Sequence, residues 1–193
     1  MRYVKKNPTL DELVLLASEG FCQRVTPELR IDVENHLEDT DFCLSVYDDD
    51  LLVACMLCKL PIPGVLYIAG TLVLPAYQGH GIKAQATKEI FNARSDLSWF
   101  AGRTQSPIVW SSVRAIASEV LPNPEGCHES AQAESIRAQL AVSLGMTNVI
   151  QKGFYGGPLY GEQPINRDGQ VQTWWDSICN FERGDAVLYI ARF

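Results

Sequence analysis

The chain has 193 residues, 47% of them hydrophobic and 20% charged, a length that suits one domain burying roughly two-thirds of its unfolded surface. A formal charge of −7 and a sequence pI near 4.9 argue against the clustered basic surface that gathers nucleic-acid phosphates and lean towards a cationic or amine substrate. No low-complexity tract or internal repeat interrupts the chain.

Thr9 and Glu12 have capping-box spacing and open a helix with apolar residues at 10, 13, 14, 16 and 17, for which Gly20 is a terminator. Asp11 and Glu12 break the apolar run of the first twenty residues, too short and too charged for a signal peptide or a membrane span. A cytoplasmic protein without membrane contact is expected. Thr26 and Pro27 start a second helix that runs to about Leu37, so helices come first in the expected order.

The period then changes. FCLSVY (42–47) and LLVACMLCKL (51–60) flank the turn Asp48, Asp49 and Asp50, and a second turn, 61–64, leads into VLYIAGTLVL (65–74), giving a three-strand meander. A helix from about Gly81 to Ala93 follows, then a strand at 97–102 and a helix from Pro107 to Glu119. Strands 65–74 and 97–102 are joined through a helix and are expected to be parallel with a right-handed crossover.

Residues 121–129 read as a loop, and Ser130 caps a helix ended by Gly145. Residues 156–171 are rich in Gly, Pro and polar side chains and read as a loop, Trp174 and Trp175 as core aromatics, and 185–193 as a closing strand. The six cysteines, Cys22, Cys43, Cys55, Cys58, Cys127 and Cys179, lack framework spacing and are expected to be reduced. Cys55 and Cys58 form a C-x-x-C, but positions three apart on a strand point to opposite faces and cannot share an ion, so no metal is expected.

The stretch LPAYQGHGIKAQATKEIF (74–91) places Gly79 and Gly81 where a strand hands over to a helix. A helix N-terminus presents unpaired N–H groups and partial positive charge, and glycines let a phosphate approach closely. The two glycines thus suit a pyrophosphate cradle.

In that context LVLPAYQGHGIKAQA resembles motif A of the GNAT superfamily of N-acetyltransferases, with Val73, Pro75, Tyr77, Gln78 and Gly81 in register. The order of elements follows the same family over about residues 1–120, and the likeness fades over 121–184. The resemblance implies a mixed, mostly antiparallel central sheet of six to seven strands flanked by helices, an α/β fold in one domain. It implies acetyl-CoA or another acyl-CoA as co-substrate and transfer of the acyl group to a primary amine of a small molecule or peptide by direct attack in a ternary complex. Dimers are common among such proteins. Gln78, Gly79, His80, Gly81, Ile82 and Lys83 would hold the pyrophosphate, and the main chain of Leu72, Val73 and Leu74 would pair with the pantetheine arm. One of those three N–H groups, with Leu72 as the candidate, would polarise the thioester carbonyl.

Lys83 departs from the family's Gly or Ala, either crowding the cradle or adding a cationic contact. Ser106, with Thr104, stands near the family's cofactor-holding Asn, though both are also good helix caps. The tyrosine that many members use as proton donor falls on Val113, and Trp110 nearby cannot serve, which leaves Tyr155 or Tyr160 of the glycine-rich stretch, with Tyr155 preferred. Strand 65–74 carries no carboxylate to act as base, only Tyr67 and Thr71. His36 and His128 read as surface residues, and His80 as facing phosphate or solvent. Two other functions stay open: a noncatalytic acyl-CoA-binding module, and a protein-interaction domain without CoA binding.

Overall fold

The computed structural model describes residues 1–124 and 130–193. Cys127 and His128, read above as a reduced thiol and a surface histidine, lie outside the described residues. Eight strands and six α-helices are present among the described residues, in the mixed, mostly antiparallel α/β architecture expected. The chain forms two compact units, Met1–Leu60 with Leu66–Asp96, and Pro61–Val65 with Leu97–Phe193.

The first unit begins with a strand, β1 (Arg2–Lys5), where the sequence suggested that helices come first. Four residues are too few to show a period, and β1 exists because it pairs antiparallel with β2 (Phe42–Asp48), some forty residues away, from Arg2↔Tyr47 to Lys5↔Leu44. Helices α1 (Leu10–Gly20) and α2 (Pro27–Glu38) follow, and α1 has the full reciprocal capping box between Thr9 and Glu12. β3 (Leu51–Ile62) pairs antiparallel with β2, and β4 (Val65–Val73) leads through a 3₁₀ turn (Pro75–Tyr77) into α3 (Ile82–Ala93).

Alternation along these strands feeds two apolar clusters. Leu13, Leu16, Ala17 and Val33 of the first two helices pack with Cys43, Tyr47, Leu52, Cys55, Leu57 and Leu72, while Ile82 of α3 packs with Val46, Val53 and Ala54. Cys55 lies in the first cluster and Cys58 does not, as opposite faces require. Burial pushes the Cys58 thiol up, and Cys43 together with burial pushes Cys55 up, so these groups stay protonated. No helix is long and apolar enough to cross a membrane, and no three His, Cys, Asp or Glu residues gather as a metal site would need, both among the described residues.

The second unit contains β5 (Trp99–Thr104), α4 (Pro107–Arg114), β6 (Glu119–Leu121), α5 (Ala131–Ser143), β7 (Ile150–Gln151), α6 (Gly169–Ile178) and β8 (Ala186–Arg192). β8 pairs antiparallel with β5, β6 and β7, which makes it the buried centre of this unit. Helix α4 stops five residues before the expected Glu119, because Ser118 N–H donates to the Arg192 carbonyl (2.9 Å) and starts the β6 pairing. The loop expected over 156–171 gives way to α6 at its end. Asp168 caps that helix through Gln170 N–H (2.9 Å) and Val171 N–H (3.3 Å), and Val171 and Trp175 face inward. Trp110, Trp174 and Trp175 form one aromatic cluster, in which Trp110 and Trp175 are buried as core.

Candidate functional site: the turn from β4 into α3

Leu72 faces the α1 cluster and Val73 packs against the α3 cluster, while Leu74 touches both. Ala69 shares the α1 side with Leu72, three residues on, so the alternation slips once between them. Leu74 N–H donates to the Val53 carbonyl at 2.9 Å, which extends the pairing with β3. The amide and carbonyl of Val73 therefore turn the other way, to the side of β4 opposite β3.

Pro75 then sets the first residue of a tight 3₁₀ turn closed by Tyr77 N–H to the Leu74 carbonyl (2.9 Å) and Gln78 N–H to the Pro75 carbonyl (3.2 Å). Two motif side chains fix this turn. The Tyr77 hydroxyl donates to Asp48 at 2.8 Å, a bond that raises its pKa, and Gln78 Nε2 donates to the Val73 carbonyl at 3.1 Å. Gln78 thus contributes its backbone to the turn, its side chain being spent on β4. His80 is exposed, its Nδ1 lying 3.0 Å from the Gln78 carbonyl.

Gly79 and Gly81 have φ of 78° and 72°, the left-handed region that glycine enters at no steric cost. Nothing lies within 4 Å of where a Cβ would stand on either, so it is conformation and not crowding that requires glycine. Gly81 is the N-cap of α3, where it has no side chain to satisfy the first-turn amides of Ile82, Lys83 and Ala84. The other five α-helices each begin with a side chain that does so: Thr9, Thr26, Ser106, Ser130 and Asp168. Among the described residues α3 alone starts with its amides and dipole facing an open glycine turn, the arrangement that receives anions.

Ile82 is buried in the α3 cluster. Lys83 falls on the helical stripe of Ala86, Thr87 and Ile90, all buried, so its stem follows the packed flank of α3. Burial pulls its ammonium down to a pKa of about 8.

No protein-family model matches the chain, and no curated protein sequence matches it. Its structure is nevertheless similar to solved ones. The ribosomal-protein-S18-alanine N-acetyltransferase of Escherichia coli matches with a TM-score of 0.52 at 10% identity, over 99% of this chain and 92% of that one. An acetyltransferase of Bacillus subtilis, solved in complex with CoA, matches with a TM-score of 0.50 at 14% identity, over 100% of this chain and 98% of that one. The fold is that of the GNAT N-acetyltransferases.

Leu72, Val73, Leu74, Gln78, Gly79, His80, Gly81, Ile82 and Lys83 lie along the run from the end of β4 through the glycine turn to the first turn of α3, all in the first unit. Ser106 and Tyr155 belong to the second. Ser106 is buried and caps α4, its hydroxyl accepting from Val109 N–H at 3.4 Å while its own N–H donates to Thr104 Oγ1 at 3.0 Å. Val113, the position where the resemblance leads one to look for a tyrosine, is buried, as is Trp110, whose indole N–H donates to the Pro122 carbonyl at 3.0 Å. Thr71 Oγ1 on β4 is buried without a hydrogen-bond partner among the described residues, and so is Tyr47 Oη on β2.

Tyr155 is half-buried, with its N–H on the Gly184 carbonyl at 2.9 Å and its ring edge-on to Phe154. Two buried groups that the sequence reading missed hold the glycine-rich stretch around it. The Asp185 carboxylate accepts from Gly153 N–H (2.9 Å), Asn180 N–H (3.0 Å) and Arg183 Nε (2.7 Å), and the Arg183 bond leads in pushing its pKa down to about 2. Gln105 accepts from Leu159 N–H (2.9 Å) and donates to the Phe181 carbonyl (2.9 Å). Tyr160 follows directly, its pKa raised by burial against the opposing effect of the Thr104 hydroxyl. Neither anchoring bond to this stretch carries a local signal in the sequence, since Gly153 lies 32 residues from Asp185 and Leu159 lies 54 from Gln105.

Proposed function

We propose that the protein is an acyl-CoA-dependent N-acyltransferase that moves acetyl from acetyl-CoA to a primary amine of a small molecule or peptide by direct attack in a ternary complex. The observation that carries this reading is the start of α3 at a left-handed glycine with no side-chain cap, unlike every other α-helix described. An anion there meets N–H groups already oriented, without rearrangement. The fold supports the same reading, as does the CoA in the Bacillus subtilis acetyltransferase.

In this reading the backbone from Gln78 to Lys83 holds the pyrophosphate, and Leu72, Val73 and Leu74 run beside the pantetheine. The N–H that polarises the thioester carbonyl is assigned to Val73 in place of Leu72. Leu74 N–H is used by Val53, and alternation gives Leu72 the same direction, which leaves Val73 facing the other way. The attacking amine is neutral and the tetrahedral oxygen is held at Val73; the new C–N bond replaces the C–S bond, the nitrogen gives up its proton to solvent, and the expelled CoA thiolate takes up a proton. Tyr155 is the proposed donor of that proton, and Ser106 contributes to holding the cofactor beyond its capping bond.

Val113 at the family's tyrosine position favours one rival, a noncatalytic acyl-CoA-binding module. Isothermal titration with acetyl-CoA and with free CoA, followed by a thiol-release assay over a panel of amines, separates the readings. Binding with amine-dependent thiol release supports the enzyme, binding without release supports the module, and no binding overturns both in favour of a protein-interaction domain.

A further inference from the structure

We propose, on the acyltransferase reading above, that Gly20 sets the size of the acyl group this protein accepts. Gly20 ends α1 and is the only glycine of that helix, in a position where alanine is the better helix former. It does not sit in the left-handed region, and the cap that follows is Phe21. Conformation therefore does not call for glycine at this position. Proximity does, because a Cβ on residue 20 would stand 3.3 Å from the Val73 carbonyl oxygen and 3.8 Å from the Val73 nitrogen.

Those are main-chain atoms and cannot swing aside. The Val73 carbonyl is also held by Gln78 Nε2 at 3.1 Å. The end of α1 is equally fixed: Phe21 N–H donates to the Ala17 carbonyl (3.0 Å), Gln23 N–H to the Ser18 carbonyl (2.9 Å), and the Ser18 hydroxyl to the Gln23 carbonyl. The missing side chain of Gly20 thus leaves space beside the main chain of one residue of β4, within reach of both the nitrogen and the carbonyl oxygen of Val73. If that N–H holds the thioester oxygen, the acyl carbons lie within a bond or two of the same space. A side chain at position 20 and a longer acyl chain would then occupy one volume, and a methyl group is enough to be felt in a packed site.

The test uses the full chain and its Gly20→Ala and Gly20→Val variants, titrated calorimetrically with free CoA, acetyl-CoA and butyryl-CoA, with urea melts to verify folding. The expected result is free CoA affinity within twofold of the parent in both variants. Acetyl-CoA binding should fall about tenfold in Gly20→Val, butyryl-CoA a further tenfold, and Gly20→Ala should show the same order with smaller losses. An equal loss for all three ligands, or no loss for any, overturns the inference and leaves the acyltransferase reading standing. Failure of the parent to bind CoA at all removes that reading and this inference together.

Discussion

Gly81→Asp separates binding from folding at the proposed cradle, because the two effects differ greatly in size. For stability, an L-residue in the left-handed region at φ 72° costs about 1 kcal/mol, less for Asp than for most. The space around that position is open, so no clash adds to this. The new carboxylate in turn meets the positive end of the helix dipole, contributing roughly 0.3–1 kcal/mol. The fold should therefore hold, with a net change within about 1 kcal/mol. Binding changes far more: a carboxylate about 4 Å from one phosphate charge costs ~4 kcal/mol at the effective dielectric of a protein surface, close to a thousandfold in affinity before salt screening. Urea denaturation and calorimetry with acetyl-CoA on the same preparation read both quantities. Unchanged affinity in a variant of native stability would refute the cradle, and the Lys83 departure would then mark a turn that does not bind CoA.

Three further outcomes follow from the geometry. Gly184→Ala should destabilise by more than about 3 kcal/mol in urea melts, since residue 184 has φ 79° and its Cβ would stand 2.4 Å from Gly157 N; a loss under about 1 kcal/mol would show that the loop simply shifts. Asp185→Asn should cost about 1–2 kcal/mol at neutral pH, a figure discounted for the half-exposed Arg183. The Asp185 carboxyl is held down to about 2, so its contribution is present above pH ~4 and is lost as pH falls from there towards 2. Stability curves of the parent and of Asp185→Asn should converge over that interval, and parallel curves would contradict it. Tyr47→Phe removes a buried hydroxyl with no partner among the described residues and should raise stability by about 1 kcal/mol, whereas a clear loss would mean that the hydroxyl is satisfied by water.

Much of the site was legible because it is local. The turn from β4 into α3 is a run of consecutive residues in which glycine conformation, a proline-initiated turn and helix capping are dictated by neighbours in sequence, so Gly79, Gly81 and the start of α3 could be placed from the chain. The capping box of α1, the Ser130 cap of α5 and the opposite facing of Cys55 and Cys58 are local in the same sense, set by periods of 3.6 and 2. Helix α6 was legible too, in Asp168 followed by Val171, Trp174, Trp175 and Ile178 at helical spacing, but the surrounding Gly and Pro obscured it.

What required the tertiary structure is whatever depends on a distant partner. The four residues of β1 and the three of β6 are strands only because β2 and β8 present matching edges, a pairing that no local propensity announces. Gly20 looked like a helix terminator until its approach to the Val73 main chain gave it another reason to be glycine. Gln105 and Asp185 are ordinary polar residues in the sequence, and their roles come from being buried against amides that chain folding brings to them. Side-chain period and turn chemistry act over a few residues and can be read from them, while close approach, burial and strand pairing arise only when the chain has closed on itself.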